Sequence, residues 1–498
     1  MASLLDRWLD GVEEGWGIPL LLAIFVVLWT AFLALAYQNA DLHPDVIEAW
    51  TIGRTLDWSG AKHPPLMGWV THIWTLLFPV RDWSFHLLAM VNSALALWVV
   101  DLTARRFVSG DKRAIILLLL MLLPVYQFQA QRFNANSVLF AVWPLATYCF
   151  LRSFETRSAV WAVAAGLAGA LAILGKYYSA FLIVGFVFAA ICHPGRRTYF
   201  TSTAPWVSAV AGMALLAPHA HWMLTSGTSP LGYALAVHGG LTAGRALTSS
   251  LFFLLGLAAT LALPIAIWAI MIRTRIGSYL TTLRPLDSGL YLLLLIAVGA
   301  IIVPPLVSLV LRSSLTAVWA APGLFLFVLV AVCSVRFAVD RGETRRLAAG
   351  ILALTLVAVL LAPAHAWYRN GHPFSEGRNY YSLAAAEVMQ RWRQTSPNPL
   401  RTVSGDKLAM ALAFYSPDHP AFVVPFNQEY VWQMPSETAL RGGWATMCLP
   451  DEETCLIWLK QIAAAAPGAT SFDFVVTPRF LGKAGVPARI VALLVPPR

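Results

Sequence analysis

The chain is poor in charge. Asp, Glu, Lys and Arg make up only 12% of its 498 residues, about half the share usual in a soluble globular protein. Five cysteines are too few for a disulfide-stapled scaffold. Acidic residues are scarcer than basic ones, 25 against 35, which leaves a net charge of +10. No Walker-type P-loop, HExxH or CxxC occurs, so the patterns of an ATP-driven pump and of a zinc protease are missing. No internal repeat or low-complexity segment is evident, unlike the inverted repeats of many transporters. The excess is apolar: 58% hydrophobic residues, twenty tryptophans and a mean hydropathy of +0.66. This excludes a disordered chain, a collagen-like fibre and an ordinary soluble enzyme. It leaves a polytopic α-helical membrane protein.

A spanning helix needs about 20 apolar residues. Eleven segments are expected to cross, near 17–37, 83–101, 114–130, 137–151, 159–174, 178–192, 203–217, 249–272, 289–311, 314–335 and 346–364. The first is long and lacks a small-residue cleavage site, so it reads as a span and not a signal peptide. With the N-terminus cytoplasmic, alternate loops hold Arg105, Arg106, Lys112 and Arg113; Arg152 and Arg157; Arg196 and Arg197; Arg273, Arg275 and Arg284; and Arg336, Arg341, Arg345 and Arg346. Cytoplasmic loops carry such excesses. Much of the net charge is therefore topological, and no nucleic-acid partner is expected. The same orientation puts the first loop, 38–82, and the tail on the outer face.

Composition changes near Trp367, which divides the chain into a membrane domain, 1–366, and a soluble domain, 367–498. The latter shows strand-like stretches at 421–425 and 472–477 and helical patterns at 380–393 and 453–465, so an α/β domain outside the membrane is expected. It contains Cys448 and Cys455, which an oxidising compartment would allow to pair. Cys149, Cys192 and Cys333 lie in apolar segments and read as small core residues.

The first outer loop carries the strongest chemical signal. Asp41, Asp45 and Glu48 lie close together, and the i, i+3 spacing of the last two puts them on one face of a helix. Lys62-His63-Pro64-Pro65 follows, and then an amphipathic run to Phe78 that suits an interfacial helix. A carboxylate can serve as a general base, and Lys, Arg or His can hold a phosphate. The plain alternative is a set of solvated loop charges.

This stretch resembles the first periplasmic loop of GT-C glycosyltransferases of the protein O-mannosyltransferase and lipid A aminoarabinose transferase group. There an Asp-Glu-Ala-Tyr type motif precedes Leu-Asp-Trp and a His-Pro-Pro or Lys-Pro-Pro turn. Asp45 takes the motif's Asp position, eleven residues before Leu56-Asp57-Trp58, and His63-Pro64-Pro65 comes next. Val46 stands where the motif has its second acid, and Glu48 is the candidate substitute. Arg132-Phe133-Asn134-Ala135-Asn136, Gly175-Lys176-Tyr177-Tyr178, Pro218-His219-Ala220-His221-Trp222 and the tail from Gly405-Asp406-Lys407 to Phe414-Tyr415 extend the resemblance along most of the chain.

The resemblance implies a GT-C fold of about eleven transmembrane helices with a C-terminal periplasmic α/β domain, in a bacterial inner membrane. It implies inverting transfer of one sugar from a polyprenyl-phosphate donor to an envelope acceptor: lipid A, the lipopolysaccharide core, another glycan or a protein hydroxyl. Asp45, with Glu48 beside it, would be the catalytic carboxylate. Lys176, Arg132, His63, Lys62 and Arg312 would hold the donor phosphate, and Tyr177, Tyr178, Trp58 and His219 would line the sugar or lipid pocket. Membrane lipids are expected partners. A divalent metal is compatible with the pattern but not indicated by it. His219 and His221, placed in a loop after the seventh span, would point oppositely on a strand, and no zinc site is expected. The rival classes are a lipid-linked sugar flippase and an O-antigen polymerase or ligase.

Overall fold

The structure, a computed structural model, describes residues 4–60, 62–227, 229, 232, 236–282, 286–426 and 431–497. Arg284 of the expected basic loop lies outside them. Helices come first: α1 (Leu4–Glu14), α2 (Gly17–Ala36), α3 (Pro44–Ile52), α4 (Leu66–Leu77), α5 (Asp82–Ala104), α6 (Asp111–Leu120), α7 (Leu139–Thr156), α8 (Ala159–Gly175), α9 (Ala180–Cys192), α10 (Arg196–Phe200) and α11 (Ala204–Ser226). The helices Ala243–Met271, Ser288–Leu311, Phe325–Cys333 and Arg341–Gly371 follow. Among the described residues, six helices are long and apolar enough to cross a membrane: α2, α5, α11, Ala243–Met271, Ser288–Leu311 and Arg341–Gly371. Shorter apolar helices include α4, α8 and Ala321–Cys333. The chain is a multi-span helical membrane protein with a mixed-sheet domain near its C-terminus.

Three expectations need correcting. The segment 114–130 is not one span: α6 ends at Leu120, and a 3-10 turn at Pro124–Tyr126 starts an irregular stretch. Pro124 has no N–H to continue the helix. Likewise 314–335 opens with 3-10 turns at Ala317–Trp319 and Ala321–Gly323 before the helix Phe325–Cys333. Residues 218–222 lie inside α11 and not in a loop, with Pro218 within the helix. His219 is buried there, 2% exposed, whereas His221 is exposed.

The chain forms two compact units: Met1–Thr30 with Asp57–Met67 and Leu87–Val357, and Ala31–Leu56 with Gly68–His86 and Ala358–Arg498. Within the first, α7 and α8 form a helical hairpin. At its 156–159 end the basic loop residues pair with acids. Arg106 and Arg152 both reach Glu155 at 3.0 Å. Arg113 grips the fully buried Asp101 with two bonds of 2.8 Å, and Arg345 meets Asp6 at 3.0 Å. At the opposite end of the same two helices lie Asn136 and Lys176.

The second unit takes in most of the loop 38–82 as well as the C-terminal part. The reason is packing. On α3, Trp50 stands edge-on to Phe414 at 5.1 Å, on the helix Lys407–Tyr415. Arg54 donates to the carbonyls of His419 and Pro420. α3 crosses α4 where Gly53 meets Gly68: a Cβ on Gly53 would run into the Gly68 carbonyl.

The strands are β1 (Thr402–Ser404), β2 (Ala421–Val423), β3 (Trp444–Cys448), β4 (Thr470–Val476), β5 (Arg479–Phe480), β6 (Lys483–Ala484) and β7 (Ala488–Val495). Five form a mixed sheet in the order β2-β1-β3-β7-β4, parallel for β2-β1-β3 and antiparallel across β3-β7-β4. The helix Glu453–Ala465 covers it with Trp458, Leu459 and Ile462, against Trp444 and Leu493. Cys448, at the end of β3, is disulfide-bonded to Cys455 on that helix, with Cα atoms 5.8 Å apart.

Candidate active site

In the first unit the candidate site is built around Lys176. Its backbone is extended (φ −163°, ψ 135°), which stops α8 and projects the side chain at the turn. The turn before α7 meets it. Asn134 Oδ1 accepts from the backbone N–H of Asn136 at 2.8 Å and of Ser137 at 3.1 Å. Asn92 fixes the same turn by donating to the Ser137 carbonyl at 2.7 Å. This short-range network, which an Asn side chain forms readily, presents Asn136 Oδ1 to Lys176 Nζ at 2.5 Å. The ammonium also lies 4.9 Å from the centroid of the Trp319 ring, in cation–π range. His238 packs edge-on to that ring at 4.9 Å. Burial and the nearby Lys176 charge push its imidazole below the usual range.

Beside Lys176, the Tyr177 hydroxyl and His219 Nε2 are 2.9 Å apart, and His219 Nδ1 is 2.7 Å from the Trp58 carbonyl. The Nδ1 atom must carry a hydrogen to face a carbonyl, so Nε2 accepts from Tyr177. Three residues expected at a sugar or lipid pocket are thereby joined. Tyr178 turns instead into an aromatic cluster with Trp143, Phe181 and Trp319. His63 is half-buried and Lys62 exposed in a tight turn, where a Cβ on Gly60 would strike the His63 carbonyl. Arg132 is exposed, with its carbonyl accepting from Ser137 Oγ at 3.1 Å. Arg312 is exposed and left-handed (φ 51°), and its carbonyl accepts from the Leu241 N–H at 3.0 Å.

In the second unit, Asp45 and Glu48 both lie on α3 and both are half-buried. His43 caps this helix: its Nδ1 accepts the Asp45 N–H at 3.2 Å, and Pro44 occupies the first helical position. His43 Nδ1 is 3.7 Å from Asp45 Oδ1, and its Nε2 is 3.5 Å from Glu376 Oε1. Asp41 is buried and donates its N–H to the Arg378 carbonyl at 2.7 Å. Burial pushes its carboxyl up to about 6, opposed by hydrogen bonds from Ser382 and the charge of Arg378. The Arg378 guanidinium lies over Phe374 at 4.0 Å and over Tyr37 at 4.6 Å. Tyr415 accepts the Leu42 N–H at 2.7 Å and donates to Asp82 at 3.1 Å.

Sequence reasoning gave no role to Asn136, Trp319, His43, Glu376 or Arg378. Asn136 lay within a recognised motif, and His43-Pro44 reads as a helix start. Trp319 and Glu376 had no local signal, because their partners are remote in sequence. Among the described residues, no group of three or more His, Cys, Asp or Glu could hold a metal ion.

Comparison with known proteins bears on this geometry. Residues 62–222 match the family described as dolichyl-phosphate-mannose-protein mannosyltransferase, a segment that includes His63, Asn136, Lys176 and His219. The lipid A galacturonosyltransferase RgtD of Rhizobium johnstonii is 26% identical over 207 residues, 41% of this chain and 43% of RgtD. The match thus spans less than half of that relative's length. ArnT from Cupriavidus metallidurans bound to undecaprenyl phosphate superposes with a TM-score of 0.61 at 14% identity, covering 96% of this chain and 98% of ArnT. Its apo state gives a TM-score of 0.58, also at 14% identity, over 97% and 98% of the two chains.

The class is therefore a multi-span membrane protein with the GT-C glycosyltransferase fold. Within it, the chain is ArnT-like in structure, its residues 62–222 match the mannosyltransferase family and it is distantly similar to RgtD.

Proposed function

We propose that this chain is a membrane glycosyltransferase that moves a single sugar from a polyprenyl-phosphate donor to an envelope acceptor. Lipid A or the lipopolysaccharide core is the first choice of acceptor. The observation that carries the reading is the Lys176 turn, where an ammonium inside the family-matched segment is held by Asn136 of the same segment and by Trp319 from beyond it. In the reaction, Asp45 accepts the proton of the acceptor hydroxyl. The acceptor oxygen bonds to the anomeric carbon as the bond from that carbon to the donor phosphate oxygen breaks, with inversion. The leaving polyprenyl phosphate gains charge, which Lys176 stabilises, supported by His63 and Arg132. One well-aimed donor to developing charge is worth about 3–4 kcal/mol. Glu48 acts as the second carboxylate of α3, and Lys62 and Arg312 supply further positive charge. Tyr177, Trp58 and His219 line the pocket for sugar or lipid, and Tyr178 supports it from its aromatic cluster with Trp143, Phe181 and Trp319.

The proposed address is the inner membrane of a bacterium, with the N-terminus cytoplasmic and residues 367–498 periplasmic. Two observations support it: basic loop residues gather with acids at one end of the helices, and the Cys448–Cys455 disulfide suits an oxidising compartment.

Mass spectrometry of envelope lipids and glycans tests the reading in three strains: wild type, a deletion, and the deletion carrying Asp45→Asn. The expected result is a one-sugar mass lost on deletion and not restored by Asp45→Asn at normal membrane levels. Full restoration removes Asp45 as the base. A deletion that instead traps a lipid-linked sugar on one leaflet replaces transfer by transport.

A further inference from the structure

The mechanism leaves His43 and Glu376 unused, yet both are held close to Asp45. His43 is 7% exposed, whereas the Asp45 side chain remains 39% exposed. The imidazole accepts the Asp45 backbone N–H at 3.2 Å, and the same Nδ1 lies 3.7 Å from Asp45 Oδ1. Because Nδ1 accepts that N–H, the neutral ring carries its hydrogen on Nε2. Nε2 faces the Glu376 carboxylate at 3.5 Å. Glu376 sits in a strap anchored on both flanks: Tyr381 donates its hydroxyl to the Glu376 carbonyl, the Phe374 N–H donates to Asn379 Oδ1 at 3.2 Å, and the Arg378 carbonyl takes the Asp41 N–H at 2.7 Å.

We infer that His43 is a positioning residue for Asp45, and that Glu376, more than three hundred residues further along the chain, fixes the tautomer and tilt of its ring. A carboxylate behind a histidine commonly sets which nitrogen carries the proton. Here the oriented ring stands beside the Asp45 side chain, with Nδ1 3.7 Å from Oδ1, and so sets the position of the carboxylate that meets the acceptor. The C-terminal part of the chain thereby supplies a working group to the first loop. This inference rests on the reading of Asp45 as the base.

The test uses the full-length protein in membranes of the complemented deletion strain, with its native donor and acceptor. It compares Asp45→Asn, His43→Asn, Glu376→Gln and the double variant His43→Asn/Glu376→Gln. Asparagine is a good N-cap, so His43→Asn retains helix capping while removing the ring. Three quantities are read: the initial rate of acceptor modification, binding of undecaprenyl phosphate to the purified protein, and Tm. Each single variant is expected to lower the rate at least tenfold, with undecaprenyl phosphate binding and Tm unchanged. The double variant should be no slower than His43→Asn, because Glu376 acts through the ring; such non-additivity marks coupled residues. Wild-type rates in His43→Asn or Glu376→Gln, additive losses in the double variant, or a loss that tracks Tm and lipid binding would each overturn the inference, even with Asp45→Asn inactive. A fully active Asp45→Asn would instead sink the assignment of the base itself.

Discussion

Lys176 donates a hydrogen bond to Asn136 and lies against the face of Trp319, and the lysine and the ring make separate predictions. Lys176→Gln should lower the transfer rate about 10²–10³-fold, the cost of removing one donor to developing charge. Lys176→Arg should recover part of that loss, because the charge remains while the fit to Asn136 changes. Trp319→Leu should have a smaller effect, roughly 2- to 30-fold, in line with a cation–π contact of about 0.5–2 kcal/mol. Rates of acceptor modification in membranes check all three. Asp41 makes a prediction about pH. Its carboxyl lies at about 6 in the folded chain against an ordinary 3.8, so the folded state holds a proton that the unfolded chain has released. Stability is therefore greatest below the ordinary value and is lost as pH rises towards 6, by on the order of 3 kcal/mol. Asp41→Asn should raise Tm at pH 7 and flatten its dependence between about pH 4 and 7, as thermal unfolding in detergent would show.

At the scale of elements, small residues decide how closely helices approach. A Cβ on Gly166 in α8 would collide with the Ser208 carbonyl of α11, and Ser208 Oγ already donates to the Ala162 carbonyl at 2.8 Å. Close backbone approach of this kind is a common device of membrane helices. Gly166→Leu should force α8 and α11 apart, lower Tm and reduce the amount of folded protein recovered in detergent. The disulfide ties the end of β3 to the helix that covers the sheet. Closing so short a loop constrains the unfolded chain by about 2 kcal/mol. Cys448→Ser with Cys455→Ser should lower the unfolding midpoint of the C-terminal domain accordingly. Much at this scale was legible in sequence. The helices Tyr381–Thr395 and Glu453–Ala465 and the strands β2 and β4 fall where periodicity and β-branched runs put them. The segments 114–130 and 314–335 misled because apolar runs report burial, not continuity of a helix. Pro124 and Pro322 interrupt them, and the irregular stretches that result carry Asn136 and Trp319.

For the whole molecule, the proposed topology predicts opposite accessibility of two exposed positions, one in the loop after α5 and one in the C-terminal domain. Ser109→Cys should react with an impermeant thiol reagent only from the cytoplasmic side, and Glu437→Cys only from the periplasmic side. Labelling of intact cells against inverted vesicles checks this; labelling of both from one side would refute the orientation. The GT-C fold was legible because the motifs stand in loops between strongly apolar runs in the order that the resemblance expects, and a structural relative at 14% identity shares the fold.

By itself the sequence determined the membrane class, the approximate spans, the acid-bearing face of α3 and the chemical type of the candidate residues. These depend on local quantities: hydropathy over about 20 residues, helical spacing and side-chain chemistry. Only the tertiary structure decided which of those residues meet. Lys176 finds Asn136 across the α7–α8 hairpin and Trp319 from a distant turn, His219 reaches back to Trp58, and His43 stands against Glu376. Such pairings arise when apolar faces pack and bring remote segments together, and no local pattern records which segment will arrive.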